Sequence, residues 1–157
     1  MSCMLRAGGQ VFDVDSFIAS VPLTVDSLWR KGEKRFPNST SNERINESSG
    51  VRIVASEADF SELSQQIEDV VAFLQRNQEN IKRLCSYPGV ESAVLDFGAE
   101  IHPPGWASFT FPPELLSLSG LVGVSLCLSV YPTEKEEKND ALPGAQPRSF
   151  QSLDAAR

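Results

Sequence analysis

Asp96, Glu100 and His102 are the residues of this sequence whose types and spacing best suit chemistry. Carboxylate and imidazole groups commonly transfer protons in enzymes, so this segment could supply a general acid and a general base. Such an activity would also need a pocket and converging partners, which the sequence does not mark. The segment defines one hypothesis, a small hydrolase or transferase with its site near these three residues.

A short basic segment beside an aromatic residue is the second candidate. Its proposed binding residues are Trp29, Arg30, Lys31, Lys34 and Arg35. The whole chain is acidic, with 14 Lys and Arg residues against 21 Asp and Glu residues and a formal net charge of -7. A local positive potential in such a chain could orient an acidic partner or bind a phosphate. The alternative is a solvated loop whose charges prevent unwanted pairing of an edge strand.

Trp106 is the third candidate. It follows a Pro-Pro-Gly run, and tryptophan is enriched among the residues that dominate binding energy at interfaces. The alternation of residues 106–111 directs Phe109 and Phe111 toward a core and places Trp106 on the opposite face. We therefore expect an exposed Trp106 that could anchor a partner.

Composition makes several classes of function improbable. An acidic chain is a poor nucleic-acid binder, because phosphate contacts need a basic surface. Three cysteines do not describe a disulfide framework, and neither paired metal-ligand spacing nor a glycine-rich phosphate loop is present, so we predict no metal and no cofactor. The longest apolar run, at 121–131, is about half the ~20 residues that a membrane-spanning helix needs. Without an apolar leader at the start, we expect a cytoplasmic protein with no membrane partner.

Apolar periodicity predicts six strands and three helices. The strands are expected at residues 3–7, 25–30, 51–55, 91–97, 106–111 and 122–131. One short helix should follow Asp13, and a long helix should follow the capping-box pair Asp59 and Glu62 and extend to about residue 84. A third, short helix should begin at Pro113 and stop at Gly120. The polar stretch at 32–50 is predicted to be a long mobile loop.

These elements indicate an α+β domain at residues 1–132 with a single mixed or antiparallel sheet of about six strands. The long helix and the two short helices should cover one side, and the first six elements have the βαββαβ order of a ferredoxin-like unit, followed by an added βαβ. The strands at 91–97 and 106–111 should form a hairpin. Residues 133–157 are charged and contain proline but few large apolar side chains, which predicts a disordered tail.

Two segments resemble a known bacterial family. The run from Ser27 to Glu33, read as SLWRKGE, and the run from Phe109 to Leu116, read as FTFPPELL, look like the family catalogued as domain of unknown function 4279. The resemblance extends over about residues 3–131. It implies an α+β bacterial domain without an established activity, in a class sometimes suggested to include the immunity proteins of toxin systems.

The sequence thus favours a non-enzymatic, cytoplasmic protein-binding or inhibitory module of the immunity type. The hydrolase or transferase near Asp96, Glu100 and His102 remains the alternative. An enzyme should show a concave pocket with converging polar groups, whereas a binding module should show an accessible surface patch.

Overall fold

The computed structural model describes residues 3–35, 44–102 and 105–133 and has a mixed α+β architecture with one open sheet, as predicted. Within these ranges it contains five strands and three helices. Their order is β1 (Cys3–Gly9), α1 (Val14–Ser20), β2 (Ser27–Trp29), β3 (Ser49–Ser56), α2 (Leu63–Cys85), β4 (Ser92–Ile101), α3 (Pro113–Val122) and β5 (Ser125–Pro132). The tail predicted at 133–157 lies, apart from Thr133, outside the described residues.

The strands lie in the order β2-β3-β1-β4-β5. The pairs β2/β3, β3/β1 and β1/β4 are antiparallel, and β4 and β5 are parallel. Parallel neighbours need a crossover connection, and α3 lies in the connection between these two strands. The sheet is therefore mixed, with a parallel pair at one edge.

The predictions of a strand at residues 106–111 and of a hairpin between it and the strand at 91–97 are wrong. Residues 105–112 contain no strand, and β4 is longer than expected and pairs with β5 up to Ile101. The alternating aromatic residues reflect a loop that buries one ring. Phe111 packs against Phe97 with the ring centroids 5.2 Å apart, whereas Ala107 and Ser108 are exposed. In so short a run, alternation does not distinguish a strand from a loop that buries one aromatic side chain.

The end of α3 also differs from the prediction. Gly120 lies inside the helix, which ends at Val122, and the left-handed residue that terminates it is Gly123, with φ of 82°. The last strand consequently begins at Ser125 rather than at Val122. Its half-buried Leu126 and Leu128 pack against the core, whereas Val130, on the same face of the strand, is 41% exposed.

Helix α2 confirms the long amphipathic helix. Its buried stripe includes Val70, Leu74, Ile81 and Leu84, and these side chains belong to the same core as the strands. The helix begins just after Glu62, whose carboxylate accepts a 3.3 Å hydrogen bond from the Asp59 backbone N–H. The predicted capping box is wrong, because the helix begins at Leu63 and its N-cap residue, Glu62, makes no side-chain capping hydrogen bond. The predicted pair instead closes the turn that precedes the helix.

The two faces of the sheet differ sharply. On the core face, Leu5 lies between Ile53 and Leu95 in register, and all three are buried with the helices. The opposite face, which we call the open face, carries the alternate residues of each strand. It includes Met4, Arg6, Gly8, Trp29, Gly50, Arg52, Val54, Val94, Asp96, Gly98, Glu100, Cys127, Ser129 and Tyr131.

Candidate functional site

Arg30 ties the basic segment to helix α1. Its guanidinium donates hydrogen bonds of 2.9 and 2.6 Å to the two carboxylate oxygens of Asp15, and it lies 3.6 Å from Glu33. The hydrogen bonds from Arg30 lower the pKa of Asp15, and the same pairing raises the pKa of Arg30. Arg30 was a predicted binding residue, but the structure engages its guanidinium within the protein.

Residues 31–35 and 44–46 form a short paired ribbon, which we call the basic arm. The Gly32 N–H donates to Asn46 O at 2.8 Å, and the Arg35 N–H donates to Arg44 O at 2.7 Å. Lys34 and Ile45 form an antiparallel bridge between them. The described part of the predicted mobile loop is therefore paired, while residues 36–43 lie outside the described ranges.

The basic arm exposes four cationic side chains. They are Lys31, Lys34, Arg35 and Arg44. Three of them were predicted binding residues, whereas Arg44 joins the group only through the pairing of the ribbon. The sequence separates it from the other three by a polar stretch, so spacing alone gave no signal for it.

Trp29 lies on the open face, where it is half-buried. Its indole lies across Gly50, because a Cβ built on that glycine would overlap Cζ2 of Trp29, and a Cβ on Gly8 would lie 3.4 Å from the same atom. Two strands thus present bare backbone to one aromatic ring. This packing fixes the ring at the base of the basic arm.

Trp106 is 87% exposed, as predicted. It follows Gly105, whose φ of 92° is a backbone conformation that residues other than glycine rarely adopt. It belongs to the connection between β4 and α3, whereas Trp29 belongs to the edge strand β2. The two tryptophans therefore lie on separate elements, and β3 and β1 lie between β2 and β4 in the sheet.

The structure does not assemble Asp96, Glu100 and His102 into one site. Asp96 and Glu100 are four residues apart on β4, which places their backbones about 13 Å apart. His102 lies beyond the strand, where its Nδ1 is 2.8 Å from the Thr133 hydroxyl oxygen. Catalytic groups must reach one reacting atom at about 3 Å, and Asp96 is too distant from the other two.

A shallow groove on the open face was missed by the sequence analysis. It has a volume of about 100 Å³ and is lined by Met4, Arg6, Arg52, Phe60, Asp96, Phe97, Gly98, Ser129 and Tyr131. These residues come from four strands and from the turn before α2. The alternation of β3 directs Arg52 away from the core, but no sequence signal joins it to the other residues of the groove.

Polar side chains in the groove are organised around Asp96. The carboxylate forms an ion pair with Arg6, and its Oδ1 accepts a 2.7 Å hydrogen bond from the Ser129 hydroxyl. Both carboxylate oxygens are therefore engaged. This arrangement holds the Arg6 guanidinium in one place on the open face.

The far wall of the groove is aromatic. Phe60 and Tyr131 stack with their ring centroids 4.7 Å apart and their planes 12° from parallel. The Phe60 carbonyl accepts a 3.2 Å hydrogen bond from the Glu100 N–H, which fixes the turn before α2 against β4. The wall is therefore attached to the sheet through its backbone.

A second, wider depression of about 630 Å³ lies between the start of α2 and residues 108–110. Its ionisable lining residues are Glu62 and Glu68, and its other polar side chains are serine, threonine and glutamine. Within the described part of the chain, no cationic side chain lines this depression beside the two carboxylates. We therefore assign no function to it.

The cysteines do not form a reactive centre. Burial raises the pKa of the Cys3 thiol, and the charge of Asp96 adds to the effect. Burial also raises the pKa of Cys85 to about 11, so both thiols stay protonated at neutral pH. Cys127 is exposed. Among the described residues, no group of three His, Cys, Asp or Glu side chains could hold a metal ion.

Comparison with other proteins adds no family. No protein-family model matches this chain, and neither the curated proteins nor the solved structures contain a significant match. Within the described ranges, none of the helices has the length and apolar character needed to cross a membrane. Function must therefore be inferred from the surfaces of the chain itself.

Proposed function

We propose that this protein is a non-enzymatic, cytoplasmic binding module that holds an acidic protein partner through the basic arm and Trp29. The observation that carries the proposal is the placement of four exposed cationic side chains on one paired ribbon. The chain as a whole has a net charge of -7, so the arm presents a potential opposite to that of the rest. Opposite local charge steers an acidic partner toward one orientation.

The base of the arm is held by contacts that would reduce the entropic cost of binding. Arg30 bonds Asp15 through both carboxylate oxygens, and the Lys31 backbone N–H donates to the Ser49 hydroxyl at 3.0 Å. A surface held in place before association loses less conformational freedom on binding. This supports a recognition role for the arm over the alternative role of a solvated edge guard.

We also propose a ferredoxin-like arrangement for the first six elements and an immunity-type role for the domain. The strand order β2-β3-β1-β4, antiparallel throughout, supports the ferredoxin-like arrangement. Parallel β5 would then be an addition at the β4 edge. The likeness to the family of domain of unknown function 4279 supports the immunity-type role through the two short segments at 27–33 and 109–116.

Charge reversal in the arm tests the binding role. Lys31→Glu combined with Lys34→Glu should leave folding intact, because both side chains are exposed. It should slow association with a partner captured from lysate of the source cells and then purified, and reduce the salt dependence of the association rate. Arg76→Glu combined with Arg83→Glu makes the same charge change on exposed positions of α2 and is the matched control.

Association rates at low and moderate ionic strength separate the outcomes. A rate lowered by the arm variant and unchanged by the α2 variant supports recognition through the arm. Equal rates for the arm variant and the unmodified protein at both salt concentrations would show that the arm only protects the edge strand.

A further inference from the structure

Two arginines face each other across the middle of the open face. Arg6 on β1 is in direct register with Arg52 on β3, and side chains in this relation have Cβ atoms about 5 Å apart. Like charges directly opposite each other destabilise a sheet. Local costs of this kind occur at functional sites.

The two arginines are not equally compensated. Arg6 pairs with Asp96, which lies diagonally across the β1/β4 pair. The side chain of Arg52 makes no hydrogen bond or ion pair with any residue of the described ranges. Asp96 contacts Arg6 and the Ser129 hydroxyl and leaves Arg52 uncompensated. The lining of the groove, with two arginines and one aspartate, therefore carries one positive charge in excess.

The shape of the groove restricts what that charge can meet. Gly98 contributes no side chain to the lining, and the Phe60 and Tyr131 rings close one end. Its volume of about 100 Å³ is well below the ~300 Å³ at which pockets for drug-sized ligands begin. The space suits a single small anionic group and excludes a whole nucleotide.

We propose that the open-face groove is a binding site for an oxyanion, either a phosphate or a carboxylate group. Arg52 is the direct ligand, since its planar fork of donors matches two oxygens of such a group and is not engaged by the described residues. Arg6, oriented by Asp96, supplies the second cation. The site is distinct from the basic arm and does not depend on the protein partner proposed above.

The test is a titration of the ¹⁵N-labelled full chain, followed by amide and arginine side-chain NMR. Sodium phosphate and sodium acetate are used in separate titrations, with ionic strength held constant by sodium chloride. Binding should shift the Nε–Hε signals of Arg52 and Arg6 and the amide signal of Gly98 in a saturable manner. Arg52→Gln should weaken binding by roughly 10-fold or more, as expected for the loss of a charged hydrogen-bond donor.

Arg83→Gln is the matched control, because it removes the same charge from an exposed position on α2. It should leave the affinity within about two-fold, since a distant exposed charge is screened. Saturation by phosphate alone assigns a phosphate-type ligand, and saturation by acetate alone assigns a carboxylate. The proposal is overturned if neither anion produces saturable shifts at Arg52 and Gly98, or if the two arginine variants weaken binding equally. The same spectra report whether each variant is folded.

Discussion

Gln66 connects helix α2 to β4 and offers a direct test of how the sheet is completed. It is fully buried, and its Nε2 donates hydrogen bonds of 2.8 Å to both the Asp59 and the Gly98 carbonyl oxygens. Its Oε1 accepts a 3.3 Å hydrogen bond from the Gly98 N–H. The pairing of β1 with β4 is described from Cys3, which lies opposite Phe97. Gly98 is the residue of β4 that follows, and its backbone N–H and carbonyl both bond to the Gln66 side-chain amide.

Gln66→Leu keeps the size of the side chain and removes all three hydrogen bonds. Each is worth about 1 kcal/mol net, and a buried group left without a partner costs about 1 to 3 kcal/mol. The greater apolar character of leucine offsets part of this loss. We expect the free energy of unfolding to fall by about 3 kcal/mol.

Urea denaturation followed by circular dichroism measures this change. Gln75→Leu is the control, since Gln75 is exposed and its amide donates only to Glu114 on the surface. The control should alter the free energy of unfolding by less than about 0.5 kcal/mol. A loss below about 1 kcal/mol for Gln66→Leu, or a loss equal to that of the control, would refute the assignment of Gln66 as the partner of Gly98.

Two further substitutions test the core and its dependence on pH. Leu74→Ala removes a fully buried side chain from α2 and should cost about 2 to 5 kcal/mol in urea denaturation, whereas exposed Gln75→Ala should cost far less; equal losses would contradict the facing of the helix. Asp69 accepts hydrogen bonds from Ser56 and Gln65, which lower its pKa below the ordinary value of 3.8. Folding favours the ionised form of Asp69, so the Asp69 charge stabilises the folded state at pH values above 3.8. This stabilisation is lost as the pH falls through the lowered pKa of the folded state. The difference in unfolding free energy between the unmodified protein and Asp69→Asn should therefore be larger at about pH 7 than at about pH 3, and a difference independent of pH would show that the Asp69 charge adds no stability.

The elements with strong periodicity were predictable because burial on one side imposes their pattern. The stripe containing Val70, Leu74 and Ile81 recurs over several turns and indicates an amphipathic helix. The alternation around Ile53 favours a strand with one buried face, and β3 has that pattern. The boundaries of the short segments could not be predicted as well from the sequence. Gly120 and Gly123 both suit a helix end, and the choice between them depends on where α3 must meet β5.

The candidate site was only partly predictable for a related reason. The basic arm could be found because three of its cations are neighbours in sequence, but Arg44 joins them through backbone pairing. The open-face groove depends on strand order, since Arg6, Arg52 and Asp96 meet only when β1 lies between β3 and β4. Single side chains from separate strands carry no sequence mark of their eventual proximity.

Core packing and the proposed oxyanion site are linked by the strand register. Leu5 is buried between Ile53 and Leu95, and the next residue of β1, Arg6, lies opposite Arg52 on the other face. Because side chains alternate with a period of two, a slip of β1 by one residue would bury Arg6 and expose Leu5. The core therefore opposes any slip that would separate the two arginines from Asp96. The geometry of the open face is in this sense maintained by hydrophobic contacts on the opposite side of the same strands.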